Sequence, residues 1–241
     1  MQLVYAVVTV AASVIFLVFM REKPPTPASP PGEEIRVLML EGLKQILKNH
    51  NVYYLSLALF LGSGIVNGIF TLIDGLGKEK GLTSEQGLLL TALLLLGGIV
   101  GSIVIPALSD GIRRRKPVLL FGLFLAVPAT IGLALGASLV FEMVLLGFCV
   151  TGFTPVAYQY GAEITFPAPE GTSNGVFALV VQASGLLIVL MDALRGVFNG
   201  SYVPSFLGLA VLLAASGIFL FSLKVSPKMQ RAEAMTSKGG R

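Results

Sequence analysis

The sequence predicts an all-α, polytopic membrane bundle of about seven transmembrane helices. Three observations carry that expectation. Of 241 residues, 54% are hydrophobic and only 12% are charged, against about 25% charged in a soluble domain. Seven apolar runs each approach the roughly 20 residues needed to cross about 30 Å of hydrocarbon. Fourteen of the seventeen Lys and Arg residues fall on one side if those runs alternate across a bilayer.

The first run covers residues 2–20. It has no basic leading region and no small-residue cleavage pattern, so it reads as a span, not a signal peptide. Residues 21–51 follow as a linker. "REKPPTPASPPGEE" is proline-rich and suited to an extended chain. In "EIRVLMLEGLKQILKNH", Ile35, Met39, Leu43, Ile46 and Leu47 fall on one helical face, which predicts an amphipathic helix along the membrane surface or a plain linker helix. Six further runs, at 52–76, 86–108, 117–137, 139–160, 172–196 and 203–223, make a six-helix bundle over 52–223. Residues 224–241 form a basic tail.

The basic residues set an expected orientation. Arg21, Lys23, Arg36, Lys44 and Lys48 lie between the first two spans, and Arg113, Arg114, Arg115 and Lys116 between the third and fourth. Lys224, Lys228, Arg231, Lys238 and Arg241 lie in the tail. The positive-inside rule makes that side cytoplasmic, the N-terminus external and the C-terminus internal. The pI of about 9.3 then reflects topology and gives no reason to expect a nucleic-acid partner.

Enzyme chemistry finds no materials. The chain has one cysteine, Cys149, and one histidine, His50, so neither a metal site nor a Ser-His-Asp triad can be assembled, and no cofactor is expected. Cys149 reads as a small core residue, and His50 as the cap of a surface helix.

Polar residues inside hydrocarbon are costly and tend to face a cavity or another helix. They concentrate in three spans: Asn67, Thr71 and Asp74 in the second, Thr151, Thr154, Tyr158 and Gln159 in the fifth, and Gln182 in the sixth. Asn67, Thr71, Tyr158 and Gln182 are therefore the candidate solute-binding residues. The competing reading is packing, since an interhelical polar contact is worth about 0.6 kcal/mol. Asp192 and Arg195, three apart on one helix, are expected to pair with each other. The fourth and seventh spans are bland and expected to face lipid. Gly97 and Gly101 have the spacing that lets helices approach closely. Pro155 should bend the fifth span.

Two loop motifs carry a resemblance. "PALSDGIRRRKP", residues 106–117, resembles the loop signature of the major facilitator superfamily, Gly-x-x-x-Asp-Arg/Lys-x-Gly-Arg/Lys-Arg/Lys. Asp110, Arg114 and Arg115 match, while Pro106, Gly111 and Arg113 replace the first glycine, the first basic residue and the second glycine. "EITFPAPEGTSNG", residues 163–175, resembles the Glu-Leu-Thr-Tyr-Pro-x-x-Glu-Gly-Thr/Ser segment of the feline leukaemia virus subgroup C receptor family. "GIFTLID", residues 68–74, is similar to that family's seventh-span Ser-Thr-Leu-Leu-Asn.

The resemblance implies spans six to twelve of a twelve-span transporter of haem, choline or a related amine, working by alternating access. The other half would be a missing N-terminal bundle or a second copy of the chain. Gln182 falls where the family has a substrate-contacting glutamine, and Asn67 near a position where it often has tyrosine. The segment at 163–175 becomes a cytoplasmic hairpin. Thr172 and Ser173 are expected to cap its second helix, with Glu170 beside the positive helix end. Glu163 is expected to pair with basic residues of neighbouring loops, such as Arg113 or Arg114. Asp110, Arg113, Arg114, Arg115, Glu163 and Glu170 would form a gate. The competing functions are a seven-span receptor and a non-transporting assembly subunit.

Overall fold

The computed structural model describes residues 2–19, 39–112 and 114–222. The proline-rich linker, Ile35, Arg113 and the tail at 224–241 lie outside the described residues. Those that are described form helices joined by short turns, with no strand among them. Hydrocarbon supplies no hydrogen bonds, so a span must satisfy its own amides, and a helix does this.

Helix α1, Gln2–Phe19, belongs to a unit of its own. Its side chains from Ala6 to Phe19 are all exposed. The second unit opens with the short helix α2, Met39–Lys48. Six segments long and apolar enough to cross a bilayer follow. They are α3 (His50–Glu79), α4 (Ser84–Ile112), α5 (Arg115–Leu135), Leu139–Thr165, Glu170–Val197, and α10 (Val203–Phe221). All six runs expected over 52–223 are helical.

Two of the six are interrupted. Leu139–Thr165 consists of α6 (Leu139–Leu146), a π turn (Gly147–Thr151) and α7 (Gly152–Thr165). Pro155 brings no N–H for the preceding turn, and its ring crowds the carbonyl four residues back. The wider π turn just upstream accommodates it, and Thr154 Oγ1 donates to the Val150 carbonyl at 3.0 Å. The segment Glu170–Val197 divides at Ser184 into α8 (Glu170–Ala183) and α9 (Gly185–Val197).

Glycine decides the contact between α4 and the interrupted fifth span. A Cβ on Gly97 would strike the Val144 backbone, and one on Gly101 the Phe148 backbone. The two helices therefore touch main chain to main chain, as the small-residue spacing predicts. The helices α5 and α10 pack together on another side of the bundle. Their outward side chains include Phe121, Phe124, Val211, Ile218 and Phe221, all exposed and apolar. A bilayer suits that surface and water does not.

Helix α2 meets protein where a membrane-surface helix was one of two expectations. Ile46 is fully buried, and a Cβ on Gly42 would lie 2.8 Å from Pro169 Cδ. Its contact face thus runs through Gly42 and Ile46 onto the α7–α8 turn, while Leu40 and Leu47 remain exposed. Asn49 clamps the same junction. Its side chain caps α3 by accepting from the Asn51 N–H at 3.0 Å, and its Nδ2 donates to the Ile164 carbonyl at 2.9 Å. The expected cap, His50, is instead the first residue of α3.

Candidate functional site

The helices α3, α7 and α8 pack on one another and carry the polar residues singled out above. On α3, Asn67, Thr71 and Asp74 follow an i, i+4, i+7 stripe. Thr71 is exposed and Asn67 half-buried. The Asn67 Nδ2 donates to Ser184 Oγ at 3.2 Å, and Ser184, itself buried, donates to the Val181 carbonyl at 2.6 Å. Gln182, two residues before this break, is exposed and makes no hydrogen bond among the described residues. Asn67 and Gln182 are therefore brought to one level of the bundle through Ser184. Sequence reasoning passed over Ser184, although a Ser-Gly pair inside an apolar run is a break signal.

Tyr158 lies elsewhere, at the end carrying the α4–α5 and α7–α8 turns. There a cleft of about 340 Å³ is lined by Pro155, Tyr158, Gln159, Ala162, Glu163, Glu170 and Asn174. The Tyr158 ring tilts against Phe177 at 6.1 Å between centroids. Glu163 is 11% exposed, and its Oε1 accepts from Arg115 Nε at 2.8 Å. The Arg115 Nη1 donates to Asp110 Oδ1 at 3.1 Å. Two acceptor atoms at the cleft, Glu163 Oε2 and Asn174 Oδ1, are buried with no hydrogen-bond partner.

One expectation about this end becomes specific and another is corrected. Glu163 pairs with Arg115, whereas Arg114 is exposed at the N-cap of α5. Helical phase is the reason: Arg115 shares its face with buried Val118, Leu119 and Gly122, so it points inward. Thr172 and Ser173 do not cap α8, which starts at Glu170 behind Pro169. Ser173 instead shares a 2.7 Å hydrogen bond with Thr165 Oγ1, tying α8 to the end of α7. Glu170 does sit in the first turn of α8, where the helix dipole favours an anion.

At the opposite end, Asp192 and Arg195 are joined through Tyr202 and not to each other. Tyr202 Oη donates to Asp192 Oδ1 at 3.1 Å and accepts from Arg195 Nη1 at 3.3 Å. The Arg195 guanidinium lies 4.8 Å from the ring centroid, a cation–π contact. Burial and the hydrogen bond to Asp192 push the Tyr202 hydroxyl pKa up, with Arg195 pulling the other way. Glu79 closes the knot by accepting from the Tyr202 N–H at 2.9 Å and from Ser201 Oγ.

The described helices thus carry a polar stripe to mid-span on α3, an exposed amide on α8 and an ion cluster at one end. The sequence pattern described as Major Facilitator Superfamily matches residues 2–189. The chain belongs to the major facilitator superfamily.

Members of the superfamily are transporters and not enzymes, and this one is a multi-pass integral membrane protein. It is 33% identical over 199 residues to an uncharacterized protein of Archaeoglobus fulgidus, covering 80% of this chain and 88% of that one. It is 31% identical over 157 residues to the choline/ethanolamine transporter FLVCR1 of Felis catus, covering 61% of this chain and 28% of that protein. The fold is similar to that of the E. coli fucose:proton symporter FucP, with a TM-score of 0.67 at 15% identity, covering 91% of this chain and 54% of the symporter. The chain thus spans about half of the symporter and less of the feline transporter. Neither these similarities nor the described residues favour the receptor or the assembly-subunit reading.

Proposed function

We propose that this chain is the C-terminal bundle of a transporter that moves a small organic amine by alternating access against a second bundle. That second bundle is an N-terminal half or another copy of this chain. One observation carries the reading: Gln182, at mid-depth in an apolar span, is exposed and unbonded among the described residues. An amide so placed in bare hydrocarbon would be costly, whereas a cavity wall would use its donor and its acceptor. Thr71 and the free side of Asn67 belong to the same wall. A cationic solute is favoured by the acidic cleft, where the Tyr158 ring stands beside Glu163 and Glu170. Choline and ethanolamine fit that chemistry and are named for the feline relative; haem, with its carboxylates, fits it less well.

In this reading Asp110, Arg115 and Glu163 brace the inner end of the bundle. Arg114 and Glu170 complete the gate at that end, with Arg113, outside the described residues, assigned to it on the resemblance alone. The unfilled acceptors Glu163 Oε2 and Asn174 Oδ1 are where a donor from the second bundle would enter when the inner end closes. Domain boundaries stay at 1–20, 21–51, 52–223 and 224–241.

The test uses the assembled transporter, this chain with its complementary bundle, and labelled choline as the probe. Gln182→Leu should raise the choline Kd roughly 5–150-fold, equivalent to about 1–3 kcal/mol for an unpaired polar partner. Its melting temperature should be unchanged, and Val211→Leu on exposed α10 should bind normally. An unaltered Kd in Gln182→Leu would assign the glutamine to packing.

Orientation is checked separately in intact cells. Cysteines replacing the exposed residues Arg114 and Gly171 should react with a membrane-impermeant maleimide only after permeabilisation. Reaction in sealed cells would put the hairpin outside and reverse the proposed topology.

A further inference from the structure

A third residue decides which way the Asn67 amide faces. Ser184 Oγ lies 2.6 Å from the Val181 carbonyl oxygen. Two oxygens come that close only with a proton between them, and a carbonyl carries none, so the Ser184 proton points at Val181. Ser184 is fully buried, so solvent offers its hydroxyl no alternative partner. The hydroxyl then has only lone pairs left for Asn67. The 3.2 Å bond between the two side chains must be donated by the amide nitrogen, because a flipped Asn67 would set two acceptors against each other.

Nδ2 and Oδ1 diverge from one carbon. With Nδ2 held at the joint between α8 and α9, Oδ1 is turned away from that joint. Asn67 is half-buried, and its Oδ1 is not among the enclosed polar atoms. It accepts no hydrogen bond among the described residues. Asn67 therefore offers the proposed wall a carbonyl oxygen, which can accept and cannot donate. The other amide N–H is of no use to an ammonium, which has no lone pair to receive it.

We propose that Asn67, oriented by Ser184, makes the pathway selective for ammonium solutes that keep at least one N–H over fully methylated ones. This rests on the reading of the chain as half of an amine transporter. Asn67 Oδ1 accepts from the solute nitrogen, and Ser184 is a positioning residue that touches no solute. A quaternary ammonium has no hydrogen on nitrogen. Its methyl groups would cover the carbonyl and leave it without water or partner. Sites built to receive a hydrogen bond reject analogues that lack the donor for this reason.

The test uses the assembled transporter and four probes that displace labelled ethanolamine: ethanolamine, its N-methyl and N,N-dimethyl derivatives, and choline. All carry the same charge at neutral pH, and each methyl removes one N–H. The largest step in Kd, about tenfold, should fall at the last methylation, against the trend that added apolar surface would give. Ser184→Ala frees the amide to turn, and the step should shrink to about twofold or less. A displaced joint alone would weaken all four probes together and leave their ratios standing. Ser184→Thr, which keeps the hydroxyl, should keep the step. Should neither variant fold, the wild-type series decides by itself. A smooth decline with each methyl, or none, in a wild type that binds these amines would overturn the selectivity and leave the transport reading in place. So would an unchanged step in Ser184→Ala. Failure of wild type to bind any of the four would overturn the amine reading and the selectivity with it.

Discussion

An Arg115→Met variant is expected to lose about 3–5 kcal/mol of stability, because it strands a carboxylate that the fold holds away from water. Arg115 is 6% exposed and Glu163 11% exposed, whereas Asp110, at 60%, keeps much of its solvation. Glu163 therefore bears most of the cost. One of its oxygens already lacks a partner, and without Arg115 both would. Removing the stranded group as well should reverse much of the loss, since apolar replacements for a buried ion pair are often neutral or stabilising. Thermal unfolding in one detergent, with Arg115→Met, Glu163→Leu and the double variant compared, gives the coupling directly. A double variant no better than Arg115→Met would mean that the arginine acts through packing alone.

Gly101→Leu should fail more severely. At Gly101 the obstacle to a Cβ is the backbone of Phe148, which has no rotamer to retreat into. Overpacking of ordinary side chains costs about 1–3 kcal/mol and occasionally more; here the upper end or beyond is expected, with α4 forced off the fifth span. Size-exclusion profiles of a fluorescent fusion should show the monodisperse peak lost. Gly111→Leu on the same helix is the comparison, because nothing lies within 4 Å of the Cβ it would add. Similar profiles for the two variants would mean that α4 does not need its close approach.

The spans were legible because hydrocarbon imposes one rule on about 20 consecutive residues, and 86–108 or 203–223 obey it without exception. Their lateral contacts were legible only where small residues reported them, as at Gly97 and Gly101. The expected face of α2 holds at Ile46, which is buried, and fails at Leu47, which is exposed. The residue that seats the helix is Gly42, which has no side chain to register. Choosing among three adjacent arginines needed the phase of α5. Carrying the buried positions Val118, Leu119 and Gly122 back one turn would have selected Arg115. The tie between Asp192 and Arg195 passes through Tyr202, and no spacing rule on α9 alone can supply a partner from beyond the next turn. The proposed midspan wall was half readable. Asn67 and Gln182 stood out as polar residues in oil, but that they share one depth shows only through the Asn67–Ser184 hydrogen bond, and Ser184 is too small to alter hydropathy.

The bond between Asn67 and Ser184 bears on how inactive variants would be interpreted in a genetic screen. Asn67 has two occupations, since it faces the proposed wall and also holds the hydroxyl at the joint between α8 and α9. A loss-of-function substitution there would report a displaced joint and a missing solute contact in one phenotype, with no way to separate them. Gln182, which holds nothing else in place among the described residues, gives an unambiguous signal. A suppressor of an Asn67 defect that maps to Ser184 or Gly185 would identify the joint as the damaged part, whereas one restricted to residues across the pathway would identify the cargo.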